Sequence, residues 1–320
     1  MARPPNGSRM GRTDVLIVLV IVLWAINLSV IKIGLRALSP HAFNAIRLTL
    51  ASLAYAVALV VQGRRHGLAS KADFWKAAAL GLLGITFYQV FFIKAIGLMP
   101  ASTASVFMGT SPIFIALLAT AIGEERIPRA GWVGIAISFG GFLLVVAGAN
   151  GGLVFTWAAW RGAVLILLAN ACWAGYTVFA RPLLERNSPF RMAAVGTIFG
   201  TAVYLPFAAG DLARVQWSRI PWPGWGAILY AGLLAIFLCF AIWYASVKKV
   251  GSAKTGVYSN LIPVLAIFFA GLVLGERLTS IQAVGAAVTL AGVYLTRSGY
   301  RFFEGRGGLA AAVDGPREGG

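Results

Sequence analysis

The sequence predicts an all-α, polytopic membrane protein with ten transmembrane helices arranged as two inverted five-helix repeats. Three observations lead there. Of 320 residues, 59% are hydrophobic and 12% are charged, against about 25% charged in a soluble globular chain. Ten mostly apolar segments lie near 14–34, 41–61, 75–96, 101–122, 130–148, 161–181, 191–209, 224–246, 254–274 and 280–296, each close to the roughly 20 residues that a bilayer span needs. Finally, a phrase is written twice. SPIFIALLATAIGEER at 111–126 aligns with IPVLAIFFAGLVLGER at 262–277, setting Pro112 on Pro263, Ala119 on Ala270, Glu125 on Glu276 and Arg126 on Arg277.

Runs this long and uniformly apolar satisfy their backbone groups as helices, because membrane strands are shorter and alternate in polarity. The first span begins after Arg12, holds Trp24, Asn27 and Lys32, and lacks a small-residue cleavage site after it, so it reads as an anchor that stays. The remaining spans are joined by short connections. The organisation expected is a cytoplasmic N-terminus (1–13), a first repeat (14–148), a linker (149–160), a second repeat (161–297) and a tail (298–320) whose Gly- and Ala-rich composition reads as disordered.

A formal charge of +17 could suggest nucleic acid, but its distribution follows the membrane. Lys32, Arg47 and Lys94 lie inside spans. With the N-terminus placed in the cytoplasm, Arg36, Arg161, Arg214, Arg219 and Arg277 fall on the outer ends and every other Lys and Arg on the inner ends. This is the positive-inside rule, and it predicts both termini in the cytoplasm. Cys172 and Cys239 sit inside spans without metal spacing and read as small apolar residues.

The duplication extends beyond the first phrase. LWAINLSVIKIGLRALSP (23–40) echoes CWAGYTVFARPLLERNSP (172–189), pairing Trp24 with Trp173, Ala25 with Ala174, Asn27 with Tyr176, Ser39 with Ser188 and Pro40 with Pro189. Gly134 likewise pairs with Gly285, and Gly141 with Gly292. The spacing is 149 residues from Trp24 to Trp173 and 151 from Pro112 to Pro263, and two consistent offsets mark a true repeat. Five spans per copy is an odd number, so the second copy enters the membrane from the opposite side. Such inverted repeats are a recurrent plan of secondary transporters, with the substrate site between the halves near the midplane.

The paired Trp-Ala, the prolines of spans 4 and 9, and the phrases Gly123 to Arg126 and Gly275 to Arg277 together resemble the drug/metabolite transporter superfamily, specifically its EamA-type ten-helix members. The likeness covers roughly residues 14 to 297, and within the family the chain is similar to bacterial amino-acid and metabolite exporters. It implies a central cavity lined by helices 1, 3, 4, 6, 8 and 9, with helices 5 and 10 at the periphery.

Polar groups inside a membrane are costly and therefore candidates for function. Trp24 and Asn27 share one stripe of span 1, and Asn170, Trp173 and Tyr176 share one of span 6. As repeat mates these stripes should face each other, offering indole faces and amides to a substrate, whereas the competing reading places tryptophans in an interfacial belt. Tyr88, Gln89 and Trp243 on spans 3 and 8 are candidates against a background of ordinary helix packing. Pro112 and Pro263 predict kinks whose freed carbonyls bind ligand or are satisfied by neighbours, with Ser111 and Asn260 as polar lining. Lys32 and Lys94 either hold a substrate anion or snorkel to headgroups; Arg47 acts as a gate, a structural ion pair or a direct substrate contact. Glu125, Arg126, Glu276 and Arg277 read as interface or gate charges.

The function expected is outward transport of a small metabolite, most readily an amino acid or related zwitterion or anion, by alternating access. Export of lipophilic cations is the alternative, since aromatic faces attract them as well, and a channel is a more distant one. An enzyme is disfavoured, because the spans hold no HExxH, no GxSxG and no buried acid–base pair. Neither cofactor nor metal is expected. The expected partners are a small-molecule substrate and the lipid bilayer, without nucleic acid, in a monomer or homodimer. No Asp, Glu or His lies mid-span, so substrate-gradient-driven efflux or exchange is expected in place of a proton relay.

Overall fold

The computed structural model describes residues 12–63, 68–122, 129–147, 157–250, 255, 258–259, 261–292 and 294–295. Seven helices there are long and apolar enough to cross a bilayer, and three shorter apolar helices bring the total to ten. They are α1 (Arg12–Gly34), α2 (Pro40–Gln62), α3 (Lys71–Leu98), α4 (Ala101–Ala121), α5 (Arg129–Ala147), α6 (Trp157–Arg186), α7 (Pro189–Ala213), α8 (Trp222–Lys249), α9 (Leu261–Leu274) and α10 (Ser280–Gly292). No strand is found among the described residues.

Local chemistry fixes the helix ends. Ser39 accepts from the Ala42 amide at 3.3 Å and Pro40 opens α2, a position where the missing proline N–H costs nothing. Pro189 opens α7 in the same way, although Ser188 makes no side-chain cap there. Ser70 caps α3 by accepting from the Asp73 amide at 3.1 Å. Gly275 closes α9 with φ of 68°, a left-handed geometry that glycine adopts without steric cost.

The repeat is visible in packing as well as in sequence. A methyl group on Gly141 would lie 2.7 Å from the Gly285 carbonyl oxygen, and one on Gly292 would lie 2.6 Å from that of Gly134. Swapping each glycine for its repeat mate turns one contact into the other. Because residue numbers rise along α5 as they fall along α10, the two mates run antiparallel, as inverted copies must. Each copy also carries a π-helical stretch at the matching place, Leu82–Phe87 within α3 and Tyr230–Leu238 within α8. Such widened turns inside α-helices are frequent at functional sites.

Buried side chains separate into two apolar cores stacked along the helix axes. In α1, Ile17, Val20 and Ile21 belong to one core and Ala25, Leu28 and Ile31 to the other. In α6 the change falls between Ala169 and Trp173; in α8 it falls between Ala231 and Ile236. Trp24, Asn170 and the π-helical stretch of α8 therefore sit on one level, at the seam. The bundle's remaining apolar surface, including Val60, Trp132 and Leu272, is exposed, as a bilayer solvent requires.

Helix α4 is not a single rod. It runs as Ala101–Met108 and Ser111–Ala121, broken at Gly109 and Thr110. Pro112 lies in the first turn of the second piece, so the proline begins a helix where the sequence suggested a kink. Thr110 Oγ1 donates to the Phe107 carbonyl at 2.7 Å and holds the break.

Candidate functional site

A cavity of about 70 Å³ lies at the seam between the two cores. One wall is aromatic. The Trp24 and Trp173 ring centroids stand 5.7 Å apart in an edge arrangement, Phe240 lies 6.0 Å from Trp24 and 5.8 Å from Trp173, and Tyr88 lies 5.5 Å from Trp173. Edge and tilted pairs of this kind contribute about 0.5–1.5 kcal/mol each beyond burial. Trp24 is fixed further by its Nε1, which donates to the Ala235 carbonyl at 2.8 Å in the π-helical stretch of α8. Tyr230 ties the same pair of helices by donating from its hydroxyl to the Leu23 carbonyl at 3.0 Å.

The other wall is polar. Asn170 Nδ2 donates to the Phe107 carbonyl at 2.9 Å and to Thr110 Oγ1 at 3.0 Å, pinning the break in α4 beside the cavity. Arg47 is 1% exposed. Its Nε donates to Asn44 Oδ1 at 2.7 Å and its Nη2 to Gln89 Oε1 at 2.8 Å, and its guanidinium lies over the rings of Phe43 and Phe92 at 5.6 and 5.9 Å. Asn27 Oδ1 and Ser111 Oγ are buried with no hydrogen-bond partner among the described residues. An unsatisfied buried acceptor or hydroxyl costs about 1–3 kcal/mol, and both residues line the cavity.

Of the residues singled out in the sequence, Trp24, Asn27, Arg47, Tyr88, Gln89, Ser111, Asn170 and Trp173 come together here. Tyr176 and Trp243 do not line the cavity; they are buried behind it, Tyr176 against Trp173 at 5.4 Å and Trp243 against Trp24 at 5.1 Å. Lys32 is half-buried and Lys94 exposed, and neither reaches the cavity. The three cations thus do not converge. Pro263 is buried in the first turn of α9 and its Cγ fills the space beside Gly109, 2.7 Å from where a Cβ would stand. Asn260, Glu125 and Arg126 lie outside the described residues.

Glu276 is placed by the glycine before it. Its carboxylate accepts from the Ala101 amide at 3.0 Å, the Ser102 amide at 2.9 Å and the Ser102 hydroxyl at 2.8 Å, so it closes the N-terminus of α4 while Arg277 beside it is exposed. An acid at a helix N-terminus satisfies free amides and the positive end of the helix dipole. Sequence reasoning missed Phe240, Met108 and Ser259 as cavity residues. Met108, three residues before Ser111, and Ser259, beside Asn260, carried a signal of position, whereas Phe240 carried none. Among the described residues, no group of three or more His, Cys, Asp or Glu is placed to hold a metal ion.

A model of the EamA-like transporter family matches residues 11–147 and again 160–298. An "Uncharacterized transporter" of Archaeoglobus fulgidus is 31% identical over 289 residues, covering 89% of this chain and 97% of the relative. A "Probable terminal-alkyne amino-acid exporter" of Streptantibioticus cattleyicolor is 31% identical over 280 residues, covering 87% and 91%. A "Probable amino-acid metabolite efflux pump" of Salmonella typhimurium is 28% identical over 303 residues, covering 91% and 97%. A solved crystal structure with 19% identity superposes with a TM-score of 0.67 over 91% of this chain and 98% of its own, a likeness that speaks for the fold alone.

Proposed function

The chain belongs to the EamA-like transporter family and is a multi-pass membrane transporter, and from that premise we propose that it carries a small amino acid, or a related zwitterion or anion, outward across the bacterial inner membrane. The observation that supports this reading best is the cavity itself. It lies at the seam of two inverted halves and is faced by the repeat mates Trp24 and Trp173. Its volume of about 70 Å³ is small beside the roughly 300–1,000 Å³ of a pocket for a drug-sized ligand. A cavity this small suits a state in which the halves are drawn together, and parting them, as alternating access between inverted repeats would do, makes room for substrate.

Two relatives named for amino-acid cargo support the choice of substrate. The charge distribution of the sequence supports cytoplasmic termini, which puts the Asp73 end of the bundle inside and the Glu276 end outside. No carboxylate or histidine lines the cavity among the described residues, so the substrate gradient supplies the driving force, without a buried proton relay. Counterflow of tritiated amino acids in proteoliposomes tests the reading. Saturable counterflow is expected, reduced at least tenfold by Trp24→Ala and by Trp173→Ala at equal protein incorporation. Export untouched by both substitutions, or single-channel steps in a bilayer, would overturn it.

A further inference from the structure

We propose that Arg47 selects cargo by its carboxylate, so that the site accepts amino-carboxylates and rejects cations that lack one; this rests on the cavity being the transport site. Arg47 is buried and lines the cavity, and among the described residues its hydrogen bonds go to neutral partners, Asn44 and Gln89. No carboxylate lies within ion-pair reach of it among the described residues. A guanidinium carries five N–H donors, and the two bonds to Asn44 and Gln89 leave capacity in the fork geometry that matches a carboxylate. The rings of Phe43 and Phe92 offset part of the cost of burying the charge, but a buried cation without an anion remains expensive. An arriving carboxylate removes that expense.

The inverted repeat makes the selection directional. At the 149-residue spacing that joins Pro40 to Pro189, the mate of Arg47 is Gly196. Gly196 brings no side chain, and its backbone packs closely on Gly81 of α3, where a Cβ would collide with the Gly196 carbonyl oxygen. The cavity thus holds one cation on the first-repeat side and no counterpart on the second. Asn27 Oδ1 is a buried acceptor with no donor among the described residues, and an amide oxygen can only accept. It suits the ammonium of the same molecule, with the faces of Trp24 and Trp173 beside it. A substrate with carboxylate on Arg47 and amine on Asn27 satisfies both. A lipophilic or quaternary cation satisfies neither and meets the arginine's charge.

Matched probes decide the matter: leucine, leucinamide, isovalerate and tetraphenylphosphonium, measured by counterflow in proteoliposomes and by quenching of intrinsic tryptophan fluorescence on the purified protein. Wild type should prefer leucine to leucinamide by at least tenfold and ignore tetraphenylphosphonium. Arg47→Gln should bring the leucine-to-leucinamide ratio to within about twofold of unity, while Arg47→Lys keeps part of the preference and serves as the folding control. Asn27→Leu should weaken leucine while sparing isovalerate. Retention of the wild-type leucine-to-leucinamide ratio by Arg47→Gln overturns the role of Arg47 and leaves the transport reading intact. A wild-type protein that takes tetraphenylphosphonium, or that neither binds nor moves any carboxylate in the set, overturns the cargo reading and Arg47 with it.

Discussion

The two ends of the bundle are closed by different chemistry, although the helices that reach them are copies. At one end Asp73 of α3 is 2% exposed and receives Arg186 of α6 in a two-pronged pair, Nη2 to Oδ1 at 2.6 Å and Nε to Oδ2 at 2.9 Å. Asn187 adds a donor at 3.0 Å, accepts from the Ala69 amide at 2.7 Å, and offers its carbonyl to Lys248 Nζ of α8 at 3.0 Å. Three helices are knotted there through charge. At the other end Glu276 meets amides and a hydroxyl; among the described residues no cation stands within ion-pair distance of it, although Lys32 of α1 is near enough to feel its charge. At the 149-residue spacing, Arg186 corresponds to Ala37 and Asp73 to Trp222. What stands there is an apolar contact, with Ala37 Cβ 3.6 Å from where a Cβ on Gly224 would be. Duplication has preserved the residues that shape the path and let the closures diverge. A transporter whose two gates differ in chemistry answers salt and mutation unequally at its two faces.

The largest effect is expected at Glu276. Its three bonds to the start of α4 join the two repeats, and hydrogen bonds to a charged group are worth about 1.5–3 kcal/mol. Glu276→Ala should therefore favour opening at that end by about 2–3 kcal/mol, roughly thirty- to a hundredfold in population. The measurement is the rate at which an impermeant thiol reagent, added from the Glu276 side, modifies a Ser111→Cys probe in a background lacking Cys172 and Cys239. Glu276→Gln keeps an acceptor and should fall between wild type and alanine. An unchanged rate in both variants would show that Glu276 closes α4 without gating the cavity.

A smaller effect is expected at Asp73, for a reason that the side chains state. Arg186 is 52% exposed, so water takes up much of what the pair gives, and exposed pairs contribute little. Asp73→Asn should raise thiol modification from the opposite side by about fivefold or less. Salt sharpens the contrast. At 1 M ionic strength the Debye length falls to about 3 Å, so high salt should raise that rate in wild type and leave Asp73→Asn nearly indifferent. Access from the Glu276 side, held by bonds to backbone amides, should change less. Equal salt responses at the two faces would erase the distinction drawn here.

Much of this was legible in the sequence, and what was hidden has a common cause. Apolar runs disclosed the spans, and the echo of Trp24 in Trp173 and of Pro112 in Pro263 disclosed the inversion, because both signals are local in the chain. The stripe of Trp24 and Asn27 led to the cavity for the same reason. Hidden were the two π-helical stretches, the break at Gly109 and Thr110, and Phe240, which depend on how helices far apart in the chain press together. Asp73 falls among the acids that the sequence places away from mid-span, and only the approach of α6 makes it the centre of a knot. Glu276 read as a gate charge beside Arg277, and only the left-handed turn at Gly275 discloses that it reaches the amides of α4. Tyr176 shares the stripe of Trp173 and yet points behind the cavity, since a stripe on a helix is wide enough to serve both a cavity and a core.

The smallest effect is expected at the apolar contact that accompanies Glu276 at the second end. Gly224 lies in the first turn of α8, and a methyl there would stand 3.0 Å from Ile220 Cγ2 and 3.6 Å from Ala37 Cβ. The first distance is tight and asks Ile220 to yield slightly, while the second is ordinary contact. Against that strain stands the gain of alanine over glycine in a helix, about 0.8–1 kcal/mol. The terms nearly cancel, so Gly224→Ala should leave thiol access from the Glu276 side and the rate of counterflow within about twofold of wild type. Gly224→Asp combined with Ala37→Arg would test the opposite case by building the charged knot at the face that lacks it. Counterflow should then acquire the salt dependence of the Asp73 end at both faces, because the closing chemistry, and not the helix on which it sits, sets that response.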